Sequence, residues 1–253
     1  MSGLGVKDFS PAFSTTTAEM NTLITRLTDF RQQIAFEVER FMLLWSYQHH
    51  TPPFRLWWRL VLKRAVDILG SAIVLTLLSP AMLMIALLLK GDSPGPVLFA
   101  QERVGRFGRM FRIYKFRTMI CNAESTTGPV WAQARNDPRV TRFGRFLRQS
   151  HLDELPQLWN VLVGTMSLVG PRPERPCFVK TLAQDIPRYD HRLYVRPGMT
   201  GLAQVHYRYD RTISDVKQKL RFDLLYVKRM CLMLDVRILA WTLIVVLTGR
   251  GVR

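Results

Sequence analysis

An uncharged apolar run is the feature that most limits how this chain can fold. The run extends from Ile68 to Leu89, and about 20 apolar residues are enough to cross the hydrocarbon core of a bilayer. The dipeptide Ser79-Pro80 interrupts the run near its middle, where proline removes a helix hydrogen bond and bends the axis. The run therefore predicts a helix inserted in a membrane, with a bend at Ser79-Pro80.

The charges beside the run leave two membrane topologies open. Arg59, Lys63 and Arg64 precede it, and Lys90 follows it. A spanning helix usually carries more positive charge on its cytoplasmic side, whereas charge at both ends fits a hairpin that returns to the same face. In such a hairpin the Ser79 hydroxyl can satisfy a backbone carbonyl that is freed at the bend. A kinked transmembrane helix is the alternative, and these residues alone do not decide between the two.

The charge of the whole chain indicates an anionic partner. Lys and Arg number 36 against 19 Asp and Glu, which gives a net charge of +17. Such an excess is typical of proteins that bind nucleic acid, phosphorylated metabolites or an acidic membrane surface. Because 48% of the residues are hydrophobic, the chain is not a disordered basic tail. The three cysteines form no CxxC pair, which argues against a zinc site or a disulfide framework.

Residues 1–56 form an amino-terminal extension in this interpretation. Thr16 and Glu19 have the spacing of a capping box, and apolar residues then recur at three-, four- and seven-residue steps. This pattern predicts an amphipathic helix from about residue 17 to residue 46. The helix packs on its own domain, lies on the membrane surface or pairs with a second copy. We expect it to support a homodimer.

Other local patterns predict the elements that follow the apolar run. Residues 92–118 combine turn residues with short β-prone segments, so we expect a β-hairpin there. A helix is expected from Ile213 to Lys228. The apolar segment from Ile238 to Leu247 is too short to span a bilayer, and it predicts an interfacial helix.

Two adjacent carboxylates, Asp153 and Glu154, stand out in this basic chain. The residues after them carry an apolar stripe of helical spacing, which predicts a helix that begins at or near Asp153, with Pro156 in its first turn. A helix N-terminus favours anions, so Asp153 is expected to stay ionised and phosphate to be attracted there. The simpler alternative is that Asp153 caps the helix and Glu154 only occupies its first turn.

A proline-flanked arginine follows the acidic pair. Arg172 lies between Pro171 and Pro173, so its backbone is stiff and its guanidinium can bind phosphate bidentately with little loss of entropy. A carboxylate can attack phosphorus and form an acyl phosphate, a step that needs cations such as Mg²⁺ and arginine. Two adjacent carboxylates can also hold Mg²⁺ partly through water. This set therefore predicts phosphoryl-transfer chemistry.

Several motifs, taken together and in order, resemble a known family. They are the basic start Lys63-Arg64 with Asp67, the break at Ser79-Pro80, and the stretches GPVLFAQERVGRFGRMFRIYKFRTM, SHLDELPQLWNVLVGTMSLVGPRPERP, RPGMTGLAQV and DLLYVKRMCLMLDVRILAWTLIVVLTGRG. The chain resembles the bacterial sugar transferases, the monotopic polyprenyl-phosphate phosphoglycosyl transferases. The resemblance covers about residues 57–253, which implies one catalytic domain of the small, catalytic-core type, similar to members that serve exopolysaccharide assembly.

The resemblance implies a fold, a reaction and a location. The fold class is α+β and mainly helical: a monotopic membrane protein with a re-entrant helix-break-helix hairpin at about residues 64–90, a small β-hairpin or sheet, and interfacial amphipathic helices. The reaction transfers a sugar-1-phosphate from a UDP-sugar to undecaprenyl phosphate through a covalent aspartyl phospho-sugar, releases UMP, and is the first membrane step of exopolysaccharide or related glycan assembly. The implied location is the inner membrane of a bacterium, with the active site on the cytoplasmic face.

The resemblance also assigns roles to residues. Asp153 is the nucleophile, Glu154 supports the metal or a proton, and both are expected to bind Mg²⁺. Arg172 is expected to bind phosphate. Thr165 departs from the pattern, because an acidic residue is common at that position and a hydroxyl cannot replace its charge in a metal site. The other residues expected to bind phosphate or substrate are Lys115, Arg117, Arg148 and Arg196.

Two other classes of function compete with this interpretation. Alternating arginines and aromatic residues in residues 103–117 are compatible with a nucleic-acid-binding protein, but that class does not explain the apolar run, and we expect no nucleic-acid partner. A non-catalytic membrane scaffold of a polysaccharide assembly complex explains the apolar segments but not the acids with Arg172. The expected partners are undecaprenyl phosphate, a UDP-sugar, membrane lipids and a second copy of the chain.

Overall fold

The computed structural model describes residues 53–121, 123, 137–207 and 212–248. The amphipathic helix predicted for residues 17–46 lies outside the described residues. The part of the chain that is described is mainly helical and contains two small two-stranded sheets. The mainly helical class with a small sheet, expected from the sequence, is confirmed.

The described residues contain seven helices, four strands and three 3₁₀ turns. In chain order they are α1 (Pro53–Asp92), β1 (Leu98–Val104), a turn at Arg106–Gly108, β2 (Met110–Phe116), α2 (Arg142–Gln149), a turn at Leu152–Glu154, α3 (Gln157–Val163), β3 (Ser167–Val169), α4 (Pro176–Asp185), a turn at Tyr189–Tyr194, β4 (Gly198–Thr200), α5 (Leu202–His206), α6 (Ile213–Arg229) and α7 (Leu232–Leu247). Strands β1 and β2 pair antiparallel, and β3 pairs with β4 in parallel.

Helix α1 is the one helix in the described residues that is long and apolar enough to cross a membrane, by length and composition. Helical structure continues through Ser79 and Pro80. Because proline has no amide hydrogen, Pro80 leaves the carbonyl of Thr76 without its backbone donor. The Ser79 hydroxyl donates a hydrogen bond to that carbonyl at 2.8 Å, as the sequence predicted. The proline is therefore accommodated without an unsatisfied backbone group.

Both ends of α1 are anchored on the same globular part of the molecule. At the first end, the buried carboxylate of Asp67 accepts a hydrogen bond at 3.0 Å from the amide of Leu168 in β3. At the second end, Leu89 is buried in a cluster with Phe116 of β2 and Leu147 of α2. Large apolar side chains between these anchors, such as Leu77, are exposed. The middle of α1 therefore has an apolar surface that the described residues do not cover.

The main core lies beside the strands and supports the rest of the domain. It joins Val104 of β1 to residues of α4 and α6, such as Leu182 and Leu220, and to Tyr189 and Leu193 of the turn at Tyr189–Tyr194. The helix predicted from residue 213 to residue 228 is confirmed as α6, which ends at Arg229. The β-hairpin predicted within residues 92–118 is confirmed as β1 and β2.

Helix α7 begins earlier than the apolar pattern indicated. It starts at Leu232, whereas the uncharged segment starts at Ile238. The reason is that Asp235 is buried rather than solvated, because its carboxylate pairs with the Lys63 ammonium at 2.7 Å and accepts a hydrogen bond from the Tyr226 hydroxyl at 2.7 Å. A charged residue that looks like an interruption is thus a buried link between α7, α1 and α6.

Candidate active site

The two acidic residues lie on a 3₁₀ turn and not in the first turn of a helix. The turn covers Leu152–Glu154, and α3 begins at Gln157 with Pro156 as its N-cap. The predicted helix start at or near Asp153 is wrong, because Pro156 has no amide hydrogen and the α-helical ladder cannot pass through it from the residues before. No side chain caps α3, so Asp153 is not a capping residue either. The simpler structural role for Asp153 is thereby removed.

Glu154 is held between two cations. The Lys115 ammonium on β2 lies 2.6 Å from Glu154 Oε1. The Arg172 guanidinium binds the same carboxylate bidentately, with one hydrogen bond to Oε1 at 2.6 Å and one to Oε2 at 3.3 Å. Three residues expected at the site from sequence are therefore in direct contact, although they lie on three separate segments of the chain.

These ion pairs decide the charge state of Glu154. Burial by itself raises the pKa of Glu154, but the charges and hydrogen bonds of Arg172 and Lys115 outweigh it and hold the pKa well below its usual range. Burial lowers the pKa of Lys115, and the Glu154 carboxylate opposes that shift. Glu154 is therefore an ionised anchor that fixes two cations beside its neighbour.

Asp153 has a different environment from Glu154. Its side chain is buried, with 8% of its surface exposed, and no hydrogen bond or ion pair joins its carboxylate to another described residue. Burial raises the pKa of Asp153; Lys115 and Arg148 lower it, and the charge of Glu154 raises it. A poorly solvated carboxylate with nearby cations but no direct partner has its lone pairs free for attack on an electrophile.

Three hydrogen bonds hold the segments that carry the cations around Asp153. Asn160 of α3 accepts a hydrogen bond from the Tyr114 amide at 3.1 Å and donates one to the Arg112 carbonyl at 2.7 Å, which ties α3 to the β2 segment that carries Lys115. Arg148 at the end of α2 donates from Nε to the Thr118 hydroxyl at 2.8 Å. Among the described residues, this is the hydrogen bond that holds the Arg148 guanidinium, and the charge of Arg148 lowers the pKa of Asp153.

Arg172 is held in place by a buried network that sequence reasoning missed. Arg192 donates a hydrogen bond to the Arg172 carbonyl at 2.9 Å, to Asp223 Oδ2 at 3.0 Å and to the Tyr189 hydroxyl at 2.8 Å. Arg192 and Asp223 are both buried. One signal was present in the sequence: Asp223 falls on the apolar stripe of α6, in line with Leu220. A carboxylate at such a position needs a buried partner.

Two of the expected phosphate-binding arginines lie elsewhere. The Arg117 guanidinium donates to the carbonyls of Leu89, Ser93 and Pro94, so it closes the end of α1 and its donors face protein oxygens. Arg196 donates from Nε to the Gly164 carbonyl at 3.0 Å, at the end of α3 opposite the acidic turn. The structure therefore places neither arginine against Glu154.

The residues present fit Mg²⁺ in a restricted way. Both oxygens of Glu154 are occupied by cations, whereas no residue in the described part of the chain bonds to the Asp153 carboxylate. Residues 53–121, 123, 137–207 and 212–248 contain no cluster of three or more His, Cys, Asp or Glu that could hold a metal ion. Thr165 bonds to the Asn160 carbonyl. Since Mg²⁺ commonly uses one or two carboxylates together with substrate phosphates and water, the geometry fits Asp153 as a protein ligand better than Glu154.

Comparison with known proteins identifies relatives. The family model described as bacterial sugar transferase matches residues 58–249. The UDP-N-acetylgalactosamine-undecaprenyl-phosphate N-acetylgalactosaminephosphotransferase of Aeromonas hydrophila is 48% identical over 192 residues, which are 76% of this chain and 45% of the relative. The exopolysaccharide production protein PSS of Rhizobium leguminosarum bv. phaseoli is 44% identical over 202 residues, which cover 76% of this chain and 98% of the relative.

A third relative carries a different sugar in its name. The UDP-glucose:undecaprenyl-phosphate glucose-1-phosphate transferase of Caulobacter vibrioides is 44% identical over 189 residues, which are 74% of this chain and 70% of the relative. The chain spans less than half of the Aeromonas relative and nearly all of the Rhizobium relative. The family match covers most of the chain and includes the acidic turn, Lys115 and Arg172. The chain therefore belongs to the bacterial sugar transferase family.

Proposed function

We propose that the protein is a phosphoglycosyl transferase that moves a sugar-1-phosphate from a UDP-sugar to undecaprenyl phosphate and releases UMP. Relatives are named for undecaprenyl phosphate and for UDP-sugars. The single observation that carries the proposal is the setting of Asp153, a buried carboxylate without a direct described partner beside the Lys115–Glu154–Arg172 ion pairs. A binding scaffold has no need of an unpaired buried acid, because such a group costs stability.

The proposed reaction has two displacements at the same phosphorus. In the first, an Asp153 oxygen attacks the phosphorus that bears the sugar, the bond to the UMP oxygen breaks, and UMP leaves with the bonding electrons. In the second, a phosphate oxygen of undecaprenyl phosphate attacks that phosphorus, and the Asp153 carboxylate is released. Lys115, Arg148 and Arg172 offset the charge on the transferring group. Mg²⁺, when bound, adds further positive charge at the diphosphate.

The environment of each acid divides the roles between them. Asp153 is the nucleophile in this proposal because it is buried and none of the described residues bonds to its carboxylate oxygens. Glu154 acts as the fixed anion that holds Lys115 at 2.6 Å and Arg172 at 2.6 Å, and so keeps two flexible cations in place before substrate binds. Preorganised cations of this kind stabilise a transition state without reorganisation during the reaction. Glu154 thus acts through its neighbours rather than by attacking substrate.

The proposed activity is tested directly with purified protein. Undecaprenyl phosphate is offered with a panel of UDP-sugars, and UMP release is measured for each. We expect release with at least one sugar and none from the Asp153→Asn variant. Glu154→Asp, which keeps the charge but shortens the reach to the cations, serves as the matched control and should retain partial activity. Equal UMP release by wild type and Asp153→Asn would rule the assignment out.

We also propose that α1 enters the membrane from one face and returns to the same face. A helix that crosses the bilayer places its ends on opposite sides, yet Asp67 and Leu89 both contact one globular part. These residues are separated along a straight helix by about 33 Å, which is the thickness of the hydrocarbon core. A bend at Pro80 resolves the conflict, and Ser79 already satisfies the carbonyl that the proline frees.

Cysteine labelling distinguishes the two topologies of α1. In a variant without native cysteines, Arg55→Cys and Asp92→Cys place one thiol near each end of the helix. We expect an impermeant reagent to label both from the cytoplasmic side of inverted vesicles and neither from the other side. Labelling of the two positions from opposite sides would establish a spanning helix instead.

The remaining parts of the proposal concern membrane contact and assembly. Helix α7 exposes Met233, Val236, Trp241 and Leu243, which suits a helix lying in the interface of the inner membrane. The cytoplasmic face is the proposed side of the active site, because UDP-sugars are the proposed donors. A role in the first membrane step of exopolysaccharide assembly is supported by the name of the Rhizobium relative. Homodimer formation through residues 1–56 stays a prediction.

A further inference from the structure

Four arginines gather at the base of α1, away from the acidic turn. Arg196 donates from Nε to the Gly164 carbonyl at 3.0 Å. A Cβ atom added to Gly164 would lie 3.1 Å from an Arg64 guanidinium nitrogen. Arg106 donates from Nε to the carbonyl of Tyr194, two residues before Arg196, at 3.2 Å. With the neighbouring Arg109, these residues are called the arginine cluster (Arg64, Arg106, Arg109 and Arg196).

No acid of the described chain is paired with the arginine cluster. Arg106 and Arg196 each use Nε for one backbone carbonyl, and their terminal nitrogens have no partner among the residues that the structure describes. Burial, together with the charges of Arg196 and Arg109, lowers the pKa of Arg106 to about 10. Like charges held together in this way repel one another, and a bound anion would remove that repulsion.

The turn that carries Arg106 is built rigidly. Phe107 has a φ of 57°, in the left-handed region that a residue with a Cβ atom rarely adopts. The Gly105 amide donates to the Arg109 carbonyl at 2.8 Å and closes the turn. The Arg106 guanidinium carbon lies 4.3 Å from the centre of the Phe107 ring. A strained turn that fixes a guanidinium against a ring is expected where a binding group must be held in place.

The arginine cluster lies where α1 leaves the globular part. Arg64 donates to the carbonyls of Val161 and Leu162 at the end of α3, and the uncharged run of α1 begins four residues later at Ile68. The start of a membrane-inserted segment is the level of the lipid headgroups. Arg196 is bonded at Gly164, at the end of α3 opposite the acidic turn, so the cluster is separate from that turn.

We propose that Arg106 and Arg196 bind the phosphate group of a membrane lipid at a second site, with Arg64 and Arg109 adding positive charge. Two guanidinium groups offer forks that match phosphate oxygens, and the headgroup level supplies phosphate at high local concentration. This inference rests on the membrane insertion of α1 but not on the transfer reaction. A free phosphate has the same recognition chemistry, so the test includes both sources.

The test measures thermal unfolding of the full-length protein in nanodiscs by intrinsic tryptophan fluorescence. Nanodiscs of phosphatidylcholine alone are compared with nanodiscs in which a fraction of the lipid is phosphatidate, whose headgroup is a phosphate monoester. A separate arm adds inorganic phosphate to the phosphatidylcholine nanodiscs, with potassium chloride at equal ionic strength as its reference. Neither UDP-sugar nor undecaprenyl phosphate is present, so the outcome does not depend on the proposed reaction.

We expect phosphatidate to raise the midpoint of unfolding of the wild type in a saturable way, because a ligand that binds only the folded state stabilises it. Arg196→Gln and Arg106→Gln should each weaken the apparent affinity at least about tenfold, the effect of losing a charge-assisted hydrogen bond. The matched control is Arg221→Gln, which removes the same charge from an exposed position on α6 and should respond like wild type.

Each outcome has a defined meaning. A shift with phosphatidate but not with inorganic phosphate supports the lipid source, and a shift with both supports a phosphate site that is open to solvent. The absence of a shift in the wild type with either source overturns the proposal. An equal loss of response in Arg221→Gln would also overturn it, because the effect would then come from net charge and not from the arginine cluster.

Discussion

Replacing Arg192 with lysine should reduce catalysis, because Arg192 holds the backbone of Arg172 in position. Arg192 makes hydrogen bonds to Asp223, Tyr189 and the Arg172 carbonyl at the same time. A lysine side chain has a single nitrogen, which should pair with the buried Asp223 carboxylate. The hydrogen bond to the Arg172 carbonyl is then lost. Hydrogen bonds to a charged group contribute about 1.5–3 kcal/mol, so the loss of kcat/KM should be about tenfold to a hundredfold.

A double-mutant cycle separates this effect from general destabilisation. Arg192→Lys is compared with its parent in the wild-type background and in the Arg172→Ala background, with UMP release as the assay. If Arg192 acts by positioning Arg172, the decrease in kcat/KM caused by Arg192→Lys should shrink to about twofold or less once the Arg172 side chain is absent. Arg117→Lys is the matched control, because Arg117 also donates to backbone carbonyls but at the end of α1. Its effect should be the same in both backgrounds.

Two results of the cycle would contradict a positioning role for Arg192. Equal fold losses from Arg192→Lys in both backgrounds would show that Arg192 acts independently of Arg172. A loss confined to the unfolding midpoint, with unchanged kcat and KM in the folded fraction, would show that the network stabilises the domain without positioning the guanidinium.

Three further predictions concern the acidic turn and helix α1. Glu154→Gln leaves Lys115 and Arg172 facing each other without a counter-charge and should lower the free energy of unfolding by about 2–4 kcal/mol. This loss is at the low end for a broken buried ion pair because Arg172 is partly exposed. An unchanged midpoint of denaturant unfolding would contradict the prediction. The pKa of Asp153 is raised by burial, and attack needs the ionised carboxylate. The rate of UMP release should therefore fall on acidification with an apparent pKa above the usual value of about 3.9 for aspartate. An apparent pKa at or below about 3.9 would oppose the assignment of Asp153. Pro80→Ala restores an amide donor for the helix and should make part of the Asp92→Cys population accessible from the opposite side, while unchanged labelling would show that the proline does not set the topology.

The elements that depend on local patterns were predictable from the sequence. The apolar run became α1, and even the role of the Ser79 hydroxyl follows from the proline beside it, because both are set by neighbours within one turn. Helix α6 also follows from its local pattern and its capping box at Thr212. The start of α3 was misjudged because the apolar stripe extends past Pro156, and the missing amide of the proline outweighs the stripe.

The pairings between distant residues were not predictable. Lys63 meets Asp235, and Arg192 meets Asp223, across long separations along the chain that no local pattern encodes. The arginines illustrate the same limit. Arg117 lies in the same basic motif as Lys115, yet only the fold shows that it faces the carbonyls at the end of α1 while Lys115 faces Glu154. Composition predicts that cations surround an anion, but the backbone decides which cations they are.

The most direct test of the central claim is a single-turnover experiment without the lipid acceptor. Wild-type protein is mixed with a UDP-sugar that it accepts, and UMP and the intact protein mass are measured together. If Asp153 is the nucleophile, UMP is released up to one equivalent per protein, the protein mass rises by one sugar phosphate, and undecaprenyl phosphate then returns the mass to its starting value. Asp153→Asn should show neither change. UMP release that waits for the acceptor, or a mass increase that persists in Asp153→Asn, would contradict the covalent mechanism proposed for this site.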